Sequence, residues 1–219
     1  MSDLIKLKLK EIQKPISKML VNSDIGIVLG DAGTGKDFIC MYTALTMLLE
    51  KKNGYSNLIL TKPITETGRS MGFLPGELED KIKPYRASFD SIINELLPKD
   101  NNKAIDSFKK RISFEPVNFV RGNTFKDAIV ILTEAQNLTL HELITFVTRL
   151  DKSSKMFING DYKQSDIGKN TGLNNFIQIV TPVHGVNVVE LDETHQMRNK
   201  MIVEITKNYI NFMKKSCKK

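Results

Sequence analysis

The sequence predicts an α/β fold with a mainly parallel β-sheet and helices on both faces of that sheet. Three observations predict it. Short runs of aliphatic residues alternate along the chain with longer stretches of helical apolar spacing. The short runs are almost free of charged residues, as is typical of parallel strands buried on both faces. A glycine-rich loop joins one such run to a helical stretch, and ligands of parallel sheets bind beyond the carboxyl ends of the strands.

Five buried strands and one shorter strand are predicted from these runs. The first, IGIVL, is an unbroken apolar run, and the second, LILT, is ended by Pro63. The run IVIL has the same buried character. In chain order the predicted strands cover residues 25–29, 58–61, 111–114, 129–132, 156–158 and 186–191, of which 111–114 is the shorter one.

Helices are predicted between the strands. The first begins at Asp37 and has an apolar face that includes Ile39, Tyr42 and Met47. Residues 64–85 are predicted as an irregular stretch rich in Gly and Pro. A length of 219 residues fits a single domain, residues 1–219, with an irregular insertion at about 64–125 and basic termini. The predicted helices cover residues 37–52, 88–97, 103–110, 140–150, 173–180 and 199–213.

Composition excludes several classes of protein. Hydrophobic residues make up 41% and charged residues 26% of the chain, which is the balance of a globular rather than a disordered protein. No window reaches about 18 uncharged apolar residues, so neither a membrane span nor a membrane partner is expected. Lysines interrupt each apolar run near the N-terminus, unlike a signal peptide. Cys40 and Cys217 are expected to be free thiols, which fits a cytoplasmic location.

Positive charge is concentrated at the two ends of the chain. The net charge is +7. Residues 1–19 hold five lysines against Asp3 and Glu11, and residues 206–219 hold five lysines and no acid, so the body of the chain is close to neutral. Two explanations stay open: the ends are solvated lysine tails, or they contact the phosphate backbone of a nucleic acid.

The loop GDAGTGK follows the first strand and opens the first predicted helix. It matches a P-loop, in which backbone N–H groups surround phosphates and the helix N-terminus favours an anion. Lys36 is expected to reach the β- and γ-phosphates of a bound nucleotide. The predicted nucleotide-binding residues are Gly30, Asp31, Ala32, Gly33, Thr34, Gly35, Lys36, Asp37 and Phe38.

Two positions depart from the usual pattern of a P-loop magnesium site. The P-loop lysine is normally followed by Ser or Thr, but here Asp37 follows it. The strand 129–132 normally leads to Asp and then Glu, but here Thr133 and Glu134 follow it. We hypothesise that a hydroxyl and a carboxylate have exchanged places, so that Asp37 and Thr133 hold Mg²⁺ and Glu134 activates water. The alternative is a decayed site that binds nucleotide poorly.

Three further residues complete the predicted site. Gln164 lies in GDYKQ, beyond the strand 156–158, where it can contact the γ-phosphate or the attacking water. Asp161 in the same motif either caps the turn or takes part in catalysis. Arg198 opens the last predicted helix and is either a surface arginine or a group that stabilises charge on the transferring phosphoryl group. Gln13, before the first strand, is a candidate to hold the adenine edge through its amide.

These residues resemble the PhoH-like family of P-loop ATPases. The matching segments are TKPITETG, MGFLPGELEDKIKPY, FVRGNTF, ILTEAQN, FVTRL, INGDYKQSDI and TGLNN, together with the P-loop, from about Gln13 to Tyr209. The resemblance implies a P-loop NTPase core of the RecA and helicase type, closest to superfamily-one helicases. It also implies ATP and Mg²⁺ as cofactors, RNA or single-stranded DNA as a partner, and a homo-oligomer in which a ring is one form.

The resemblance also carries over individual residues. Gly33, Gly35 and Lys36 match the phosphate loop of the family, and Glu134 matches its catalytic glutamate. Gln164 matches the glutamine of its GD-x-x-Q motif, Arg198 its late arginine and Gln13 its early glutamine. The predicted catalytic residues are Lys36, Glu134, Gln164 and Arg198. Other matches lie in segments whose role the family pattern does not specify: Pro63, Glu66, Arg121, Gly122 and Arg149.

The sequence leaves three functions open. The leading prediction is a cytoplasmic, Mg²⁺-dependent ATPase that acts with RNA or single-stranded DNA; for a phage-encoded member this is the host cytoplasm. The second is a nucleotide-binding regulatory or assembly module with little turnover, and the third is an RNA-binding protein whose nucleotide site is structural. Phe114, Phe119 and Phe125 are either base-stacking residues or core residues.

Overall fold

The computed structural model describes the backbone of residues 5, 7–50, 54–64, 78–98, 103–120 and 122–216. Six strands and seven α-helices are present in this part of the chain. The strands are β1 Ile25–Gly30, β2 Asn57–Thr61, β3 Ile112–Phe114, β4 Ala128–Leu132, β5 Lys155–Gly160 and β6 Val186–Leu191. The helices are α1 Lys14–Asn22, α2 Lys36–Leu49, α3 Leu78–Leu96, α4 Lys103–Lys109, α5 Leu140–Val147, α6 Leu173–Val180 and α7 Lys200–Ser216.

The strands form one sheet in the order β3-β2-β4-β5-β1-β6, and every pair in it is parallel. This confirms the predicted α/β class with a parallel sheet. All carboxyl ends therefore meet at one edge of the sheet, which is where ligands of such folds bind. β1 lies between β5 and β6, so the loop that follows β1 is flanked by the ends of both neighbours.

Each face of the sheet is covered by a separate hydrophobic core. Successive side chains of a strand point to opposite faces, and on β5 Phe157 packs on one face while Met156 and Ile158 pack on the other. Helices α1, α2 and α3 cover the Phe157 face, whereas α5 and α6 cover the opposite face. Helices therefore cover both faces of the sheet, and the P-loop projects from its carboxyl edge.

The first correction to the sequence analysis concerns residues 78–85, which were predicted as irregular. Helix α3 already begins at Leu78 and contains Pro84. Proline disfavours a helix interior because it lacks an N–H donor, and this misled the prediction. Burial outweighs that cost here. The apolar face that α3 packs on the core has helical spacing: Ile82, Tyr85, Phe89, Ile93 and Leu96.

Helix α1 was not predicted, although its short sequence buries Ile16 and Leu20. A Cβ atom at Gly26 would collide with the Leu20 side chain, so α1 lies directly against β1. The described part of the predicted insertion contributes α3, α4 and β3 to the same core as the rest of the chain. Cys40 is a buried free thiol, as predicted, and Cys217 lies outside the described residues. No helix in the described ranges is both long and apolar enough to span a bilayer.

Candidate nucleotide-binding site

The glycine-rich loop connects β1 to α2 at the carboxyl edge of the sheet. Gly35 forms the N-terminal cap of α2 with a φ angle of 84°, a left-handed conformation that favours glycine. Gly33 has a φ angle of 89°, and a Cβ atom there would lie 2.6 Å from Cγ and Cδ of Arg198. The hydroxyl of the buried Thr34 donates to the Asp31 carbonyl over 2.8 Å. The loop is therefore closed on itself and leaves no space at Gly33 for a side chain.

The side chain of Lys36 turns back onto its own loop. Its Nζ atom donates to the carbonyl oxygens of Gly30 over 2.6 Å and of Asp31 over 3.0 Å. Lys163 forms an exposed ion pair with the Asp31 carboxylate over 2.8 Å, and the hydrogen bond within that pair raises the pKa of Lys163. Because the Lys36 ammonium group binds carbonyl oxygens of the loop, phosphate oxygens of a nucleotide could replace those carbonyls as its acceptors.

The chain between β6 and α7 crosses the P-loop. Gln196 Nε2 donates to the carbonyl of Ala32 over 3.2 Å, and the N–H of Met197 donates to the carbonyl of Gly33 over 2.9 Å. Residues 196–198 are called the crossing segment below. Because Arg198 belongs to this segment, its stem lies directly over Gly33.

Asp192 fixes the chain just before the crossing segment. Its Oδ1 atom accepts hydrogen bonds from the backbone N–H of Thr194 over 2.9 Å and from the Thr194 hydroxyl over 2.5 Å. The same oxygen lies 2.9 Å from Nδ1 of His195. The Thr194 hydroxyl, followed by His195, lowers the pKa of Asp192 to about 2. The carboxylate is therefore ionised over the physiological range and holds this turn.

Gln164 and Arg198 share one cleft beside the P-loop. The cleft is small, about 40 Å³, and Asp31, Ala32 and Asp161 also line it. A larger cavity of about 930 Å³ shares Asp31 and Arg198 with it and extends along the end of β6. The structure thus brings both predicted residues to the phosphate loop.

Asp37 lies in the first turn of α2, next to Lys36. Its Oδ1 atom accepts a hydrogen bond from Asn159 Nδ2 over 2.7 Å. Burial raises the pKa of Asp37, the Glu134 carboxylate raises it further, and Lys36 opposes both effects. Among the described residues no hydrogen bond joins Asp37 to Thr133, so the direct contact expected of an exchanged pair is absent.

Asn159 of β5 lies between the two positions instead. β5 separates β4 from β1 in the sheet; Asn159 pairs with Val28 of β1, and the preceding Ile158 pairs with Leu132 of β4. Thr133 follows Leu132 directly, is buried, and donates its N–H to the Thr61 carbonyl over 3.0 Å. The amide of Asn159 therefore binds Asp37 from a strand that lies between β1 and β4.

The donor atoms at this edge fit a small hard cation. The part of the chain that the structure describes has no cluster of three His, Cys, Asp or Glu side chains suited to a metal ion. Mg²⁺ is typically held by one or two carboxylates together with substrate phosphates and water. Asp37 supplies a carboxylate that lies close enough to Glu134 and Lys36 for both to act on its pKa, and Thr133 supplies a hydroxyl. These oxygen groups could hold Mg²⁺ when phosphate is bound.

Glu134 follows β4 in a left-handed conformation with a φ angle of 56°. This conformation is uncommon for residues other than glycine and is concentrated at functional sites. Its Oε2 atom accepts a hydrogen bond from Gln136 Nε2 over 2.6 Å. The Oε1 atom of Gln136 in turn accepts from the backbone N–H of Asp161 over 3.0 Å. Asp161 is buried, and its Oδ2 atom has no partner among the described residues.

Gln13 and Phe38 complete the set of predicted residues. Gln13 is buried, and its Oε1 atom accepts a hydrogen bond from the backbone N–H of Lys10 over 3.0 Å. A Cβ atom at Gly35 would lie 3.3 Å from Gln13 Nε2, so the amide reaches the end of the P-loop. Phe38 lies in the first turn of α2, where it is partly buried and packs against the core.

The sequence analysis missed three residues of this site: Asn159, Gln136 and Gln196. A signal for Asn159 was present, because it is a polar residue at the end of a buried strand. Gln136 lies in the EAQN tetrapeptide that carried the family resemblance, but its sequence position did not indicate its partners. Gln196 gave no sequence signal, since its contact with Ala32 depends on how β6 and α7 are placed.

A second cavity, of about 270 Å³, lies away from the P-loop between residues 117–120 and α5. Arg149 lines it, and the Nε atom of this residue is buried without a hydrogen-bond partner among the described residues. Phe119 beside it is 54% exposed, whereas Phe114 and Phe125 are buried. Phe114 and Phe125 are therefore core residues. Arg121 and Glu66, which the resemblance also singled out, lie outside the described residues.

A parallel sheet with a closed glycine-rich loop at its carboxyl edge, and a lysine inside that loop, define a nucleotide-binding P-loop protein of the α/β class. The chain belongs to the PhoH-like family, whose model matches residues 5–210. It is 34% identical to a PhoH-like protein of Bacillus subtilis (strain 168) over 200 residues, covering 90% of this chain and 61% of that protein. It is 28% identical to Protein PhoH of Escherichia coli (strain K12), covering 87% of this chain and 54% of that protein.

The chain thus spans about half to three-fifths of these relatives. Solved structures of similar shape include the helicase domain of Pyrococcus furiosus Hef, with a TM-score of 0.47, 12% identity, and coverage of 85% of this chain and 39% of that chain. A Bacteroides Pif1 structure bound to single-stranded DNA has a TM-score of 0.42, 16% identity, and coverage of 94% and 47%.

Proposed function

We propose that this chain is a Mg²⁺-dependent ATPase that works with RNA or single-stranded DNA in the cytoplasm. The proposal depends on one observation: Lys36, Asp37 and Glu134 lie together at one edge of the sheet. They are close enough that Glu134 raises the pKa of Asp37 and Lys36 lowers it. A phosphate-binding cation, a metal-binding carboxylate and a water-activating carboxylate are the groups that ATP hydrolysis needs.

In this proposal the P-loop binds the phosphates. The backbone N–H groups of the loop and the Lys36 ammonium group surround the β- and γ-phosphates, and Lys36 leaves the Gly30 and Asp31 carbonyls to do so. Asp37 and Thr133 hold Mg²⁺, which neutralises phosphate charge when it is bound. Gln13 holds the adenine edge beside Gly35. Burial raises the pKa of Asp37 although Lys36 and Asn159 oppose that shift, so a bound cation would further stabilise its carboxylate form.

Hydrolysis then proceeds by in-line attack of water on the γ-phosphorus. Glu134 orients the water and takes one of its protons while the bond from the γ-phosphorus to the bridging oxygen breaks, giving ADP and phosphate. Arg198, over Gly33, stabilises the charge that develops on the transferring group. Gln164 contacts the γ-phosphate or the water from the adjoining cleft. Orientation and electrostatic stabilisation account for most of the rate enhancement in such reactions.

The cavity of about 270 Å³ that Arg149 lines, called the Arg149 cavity below, supports the nucleic-acid part of the proposal. An arginine Nε that is buried without a partner is unfavourable unless a ligand supplies an acceptor. The Arg149 cavity is lined by apolar side chains, among them Val117 and Phe146, and by polar ones that include Glu142. The exposed Phe119 lies beside it. A guanidinium group together with apolar and aromatic surface suits an unpaired base of a single strand.

Affinity for labelled single-stranded RNA and DNA tests this part. Arg149→Gln is expected to weaken binding about tenfold, because it removes the guanidinium group from the cavity. The matched control is Arg86→Gln, which makes the same change in an exposed ion pair on α3 and is expected to alter affinity by less than about twofold. Equal effects of the two variants would reject the Arg149 cavity as the binding site.

The exposed apolar residues of α7 support the predicted homo-oligomer. Met201 is 60% exposed and Ile205 is 57% exposed, and residues four apart lie on one side of a helix. Covering them with a second copy of the chain would remove apolar surface from water. Light scattering of the purified chain, compared with that of Ile205→Lys, tests this contact.

A nucleotide-binding regulator with little turnover is the second candidate. The contacts of Lys36 with its own loop, and of the crossing segment with Ala32 and Gly33, favour it, because nucleotide must displace or rearrange them. A chain that switches between two loop conformations can act through binding alone.

Phosphate release measured with and without Mg²⁺, and with and without single-stranded RNA, distinguishes the two candidates. The ATPase proposal requires Mg²⁺-dependent release that Glu134→Gln lowers by at least about 10²-fold with ATP still bound. Release at the buffer rate in the parent chain, with nucleotide bound, supports the regulator instead.

A further inference from the structure

A buried hydrogen-bonded unit joins Glu134 to the loop that carries Gln164. The residue at its centre is Gln136, which is 3% exposed and lies in the 3-10 helix Ala135–Asn137. Gln136 Nε2 donates to Glu134 Oε2 over 2.6 Å, and Gln136 Oε1 accepts from the N–H of Asp161 over 3.0 Å. One side-chain amide therefore binds the predicted catalytic carboxylate with one end and the 161–166 loop with the other.

Three further hydrogen bonds fix the same loop. Asn137 Nδ2 donates to Asp166 Oδ2 over 2.7 Å, and Asn137 Oδ1 accepts from the N–H of Asp166 over 2.8 Å. The hydroxyl of Ser165 donates to the carbonyl of Gln136 over 3.1 Å. Residues 136–137 therefore hold the loop at both of its ends, and Gln164 lies between the two attachment points.

The chemistry of the position selects glutamine. A carboxylate such as Glu134 accepts hydrogen bonds and cannot donate them, whereas the Asp161 N–H only donates. A group between them must donate on one side and accept on the other, and a primary amide does both. Gly160 leaves space for it, because a Cβ atom there would lie 3.2 Å from Gln136 Oε1 and 2.9 Å from the Leu173 side chain.

We propose that Gln136 is a positioning residue that fixes the orientation of Glu134 and ties it to the Gln164 loop, so that contact of that loop with the γ-phosphate aligns the carboxylate with the attacking water. The inference rests on the proposed ATPase function. Gln136 touches no reacting atom, and its effect passes through Glu134 and through the backbone of the loop.

The first test is a pair of substitutions at Gln136. Gln136→Met keeps the length of the side chain and removes both hydrogen bonds. We expect kcat for ATP hydrolysis to fall about 10²-fold, as a displaced catalytic group does, while the affinity for a fluorescent ADP analogue stays within about threefold. The matched control, Gln178→Met, makes the same change at an exposed position of α6 and leaves kcat unchanged.

Gln136→Glu provides a readout that loss of packing would not change. It keeps an acceptor for the Asp161 N–H but places a second carboxylate against Glu134. Two adjacent carboxylates raise the pKa of one of them, so the acid limb of the pH profile of kcat is expected to move to higher pH. This variant also keeps the test informative if Gln136→Met does not fold.

The second test follows the loop itself. The chain contains no tryptophan, so Tyr162→Trp in the loop provides a single reporter. A non-hydrolysable ATP analogue is expected to change its emission, and adding Gln136→Met is expected to abolish most of that change although the analogue still binds.

The outcomes separate this inference from the function on which it rests. If the parent chain does not hydrolyse ATP, the ATPase proposal is rejected. The tryptophan signal then tests the link between Gln136 and the loop: a signal lost in Gln136→Met supports the link, and an unchanged signal overturns it. With turnover in the parent, the inference is overturned if kcat is unchanged in Gln136→Met. It is also overturned if kcat and analogue affinity fall together, or if the pH profile of Gln136→Glu does not move.

Discussion

Two polar networks lie side by side at the carboxyl edge of the sheet, and they differ in kind. In the P-loop network, the half-buried Lys36 and Gln196 bind backbone carbonyls that nucleotide phosphates can replace or displace. In the network of Gln136 and Asn137, both side chains are buried, and their hydrogen bonds within the described residues run to Glu134, Asp161 and Asp166. In the proposed function, the first set of hydrogen bonds would exchange on nucleotide binding, whereas the second would stay in place and hold Glu134 and the Gln164 loop together.

The largest expected effect breaks the P-loop network. Lys36→Ala is expected to lower the affinity for a fluorescent ADP analogue about 10- to 100-fold, because charge-assisted hydrogen bonds to phosphate are lost. Lys163→Ala, which removes a cation from an exposed ion pair at the same loop, is the control and is expected to change affinity only slightly. An affinity in Lys36→Ala within twofold of the parent contradicts a phosphate-binding role.

The next effect concerns Asp37 and Thr133, which lie on either side of Asn159. Asp37→Thr is expected to lower Mg²⁺-dependent hydrolysis about tenfold, since the carboxylate of the exchanged pair is lost. Adding Thr133→Asp is expected to restore most of it. Steady-state ATPase assays of the parent, the two single variants and the double variant complete this double-mutant cycle. If the two single effects simply add, the residues are not an exchanged pair.

A stability effect is expected from the network of Gln136 and Asn137. Asn137→Ala removes both hydrogen bonds to Asp166 and is expected to lower the free energy of unfolding by about 1–3 kcal/mol, the cost of leaving buried polar groups unpaired. Urea unfolding measures it, with Asn175→Ala on the exposed side of α6 as the control. If the two variants are equally stable, the buried hydrogen bonds of Asn137 do not stabilise the fold as proposed.

The smallest expected effect is a pH-dependent change in stability at Asp37. Burial, and then Glu134, raise the pKa of Asp37 above the ordinary value of 3.8. Folding therefore favours the protonated form, and that stabilisation is full below the ordinary pKa and is lost as pH rises through the raised value. At pH 8 the unfolded chain has an ionised Asp37, so folding must either bury that charge or take up a proton. Asp37→Asn removes this cost while keeping an acceptor for Asn159.

Thermal unfolding without nucleotide measures this effect. Asp37→Asn is expected to raise Tm by about 2 °C at pH 8 and to match the parent at pH 3.5. Asp151→Asn should act in the opposite direction at pH 8, because hydrogen bonds from Ser153 lower the pKa of Asp151. A lower Tm for Asp37→Asn than for the parent at pH 8 would show that the Asp37 charge is already stabilised by its surroundings.

Much of the fold could be predicted from apolar patterning. The runs IGIVL and IVIL are buried strands because a parallel sheet covered on both faces requires apolar residues on both sides. The P-loop could be predicted because its glycines serve local backbone conformation, as at Gly33 and Gly35. The first residue of helix α3 could not be predicted from such patterns, because packing of Ile82 and Tyr85 on the core outweighs the local cost of Pro84.

The sequence by itself determined the class of fold and the phosphate loop, because both follow from local apolar and glycine spacing. It also predicted the candidate residues Lys36, Glu134, Gln164 and Arg198, from their places after buried strands and from the family resemblance. Only the tertiary structure decided which side chains contact each other. Asn159 rather than Thr133 binds Asp37, and Gln136 joins Glu134 to Asp161. The physical reason is that these contacts join residues up to 122 positions apart in the chain, and only the order and register of the parallel strands bring them together.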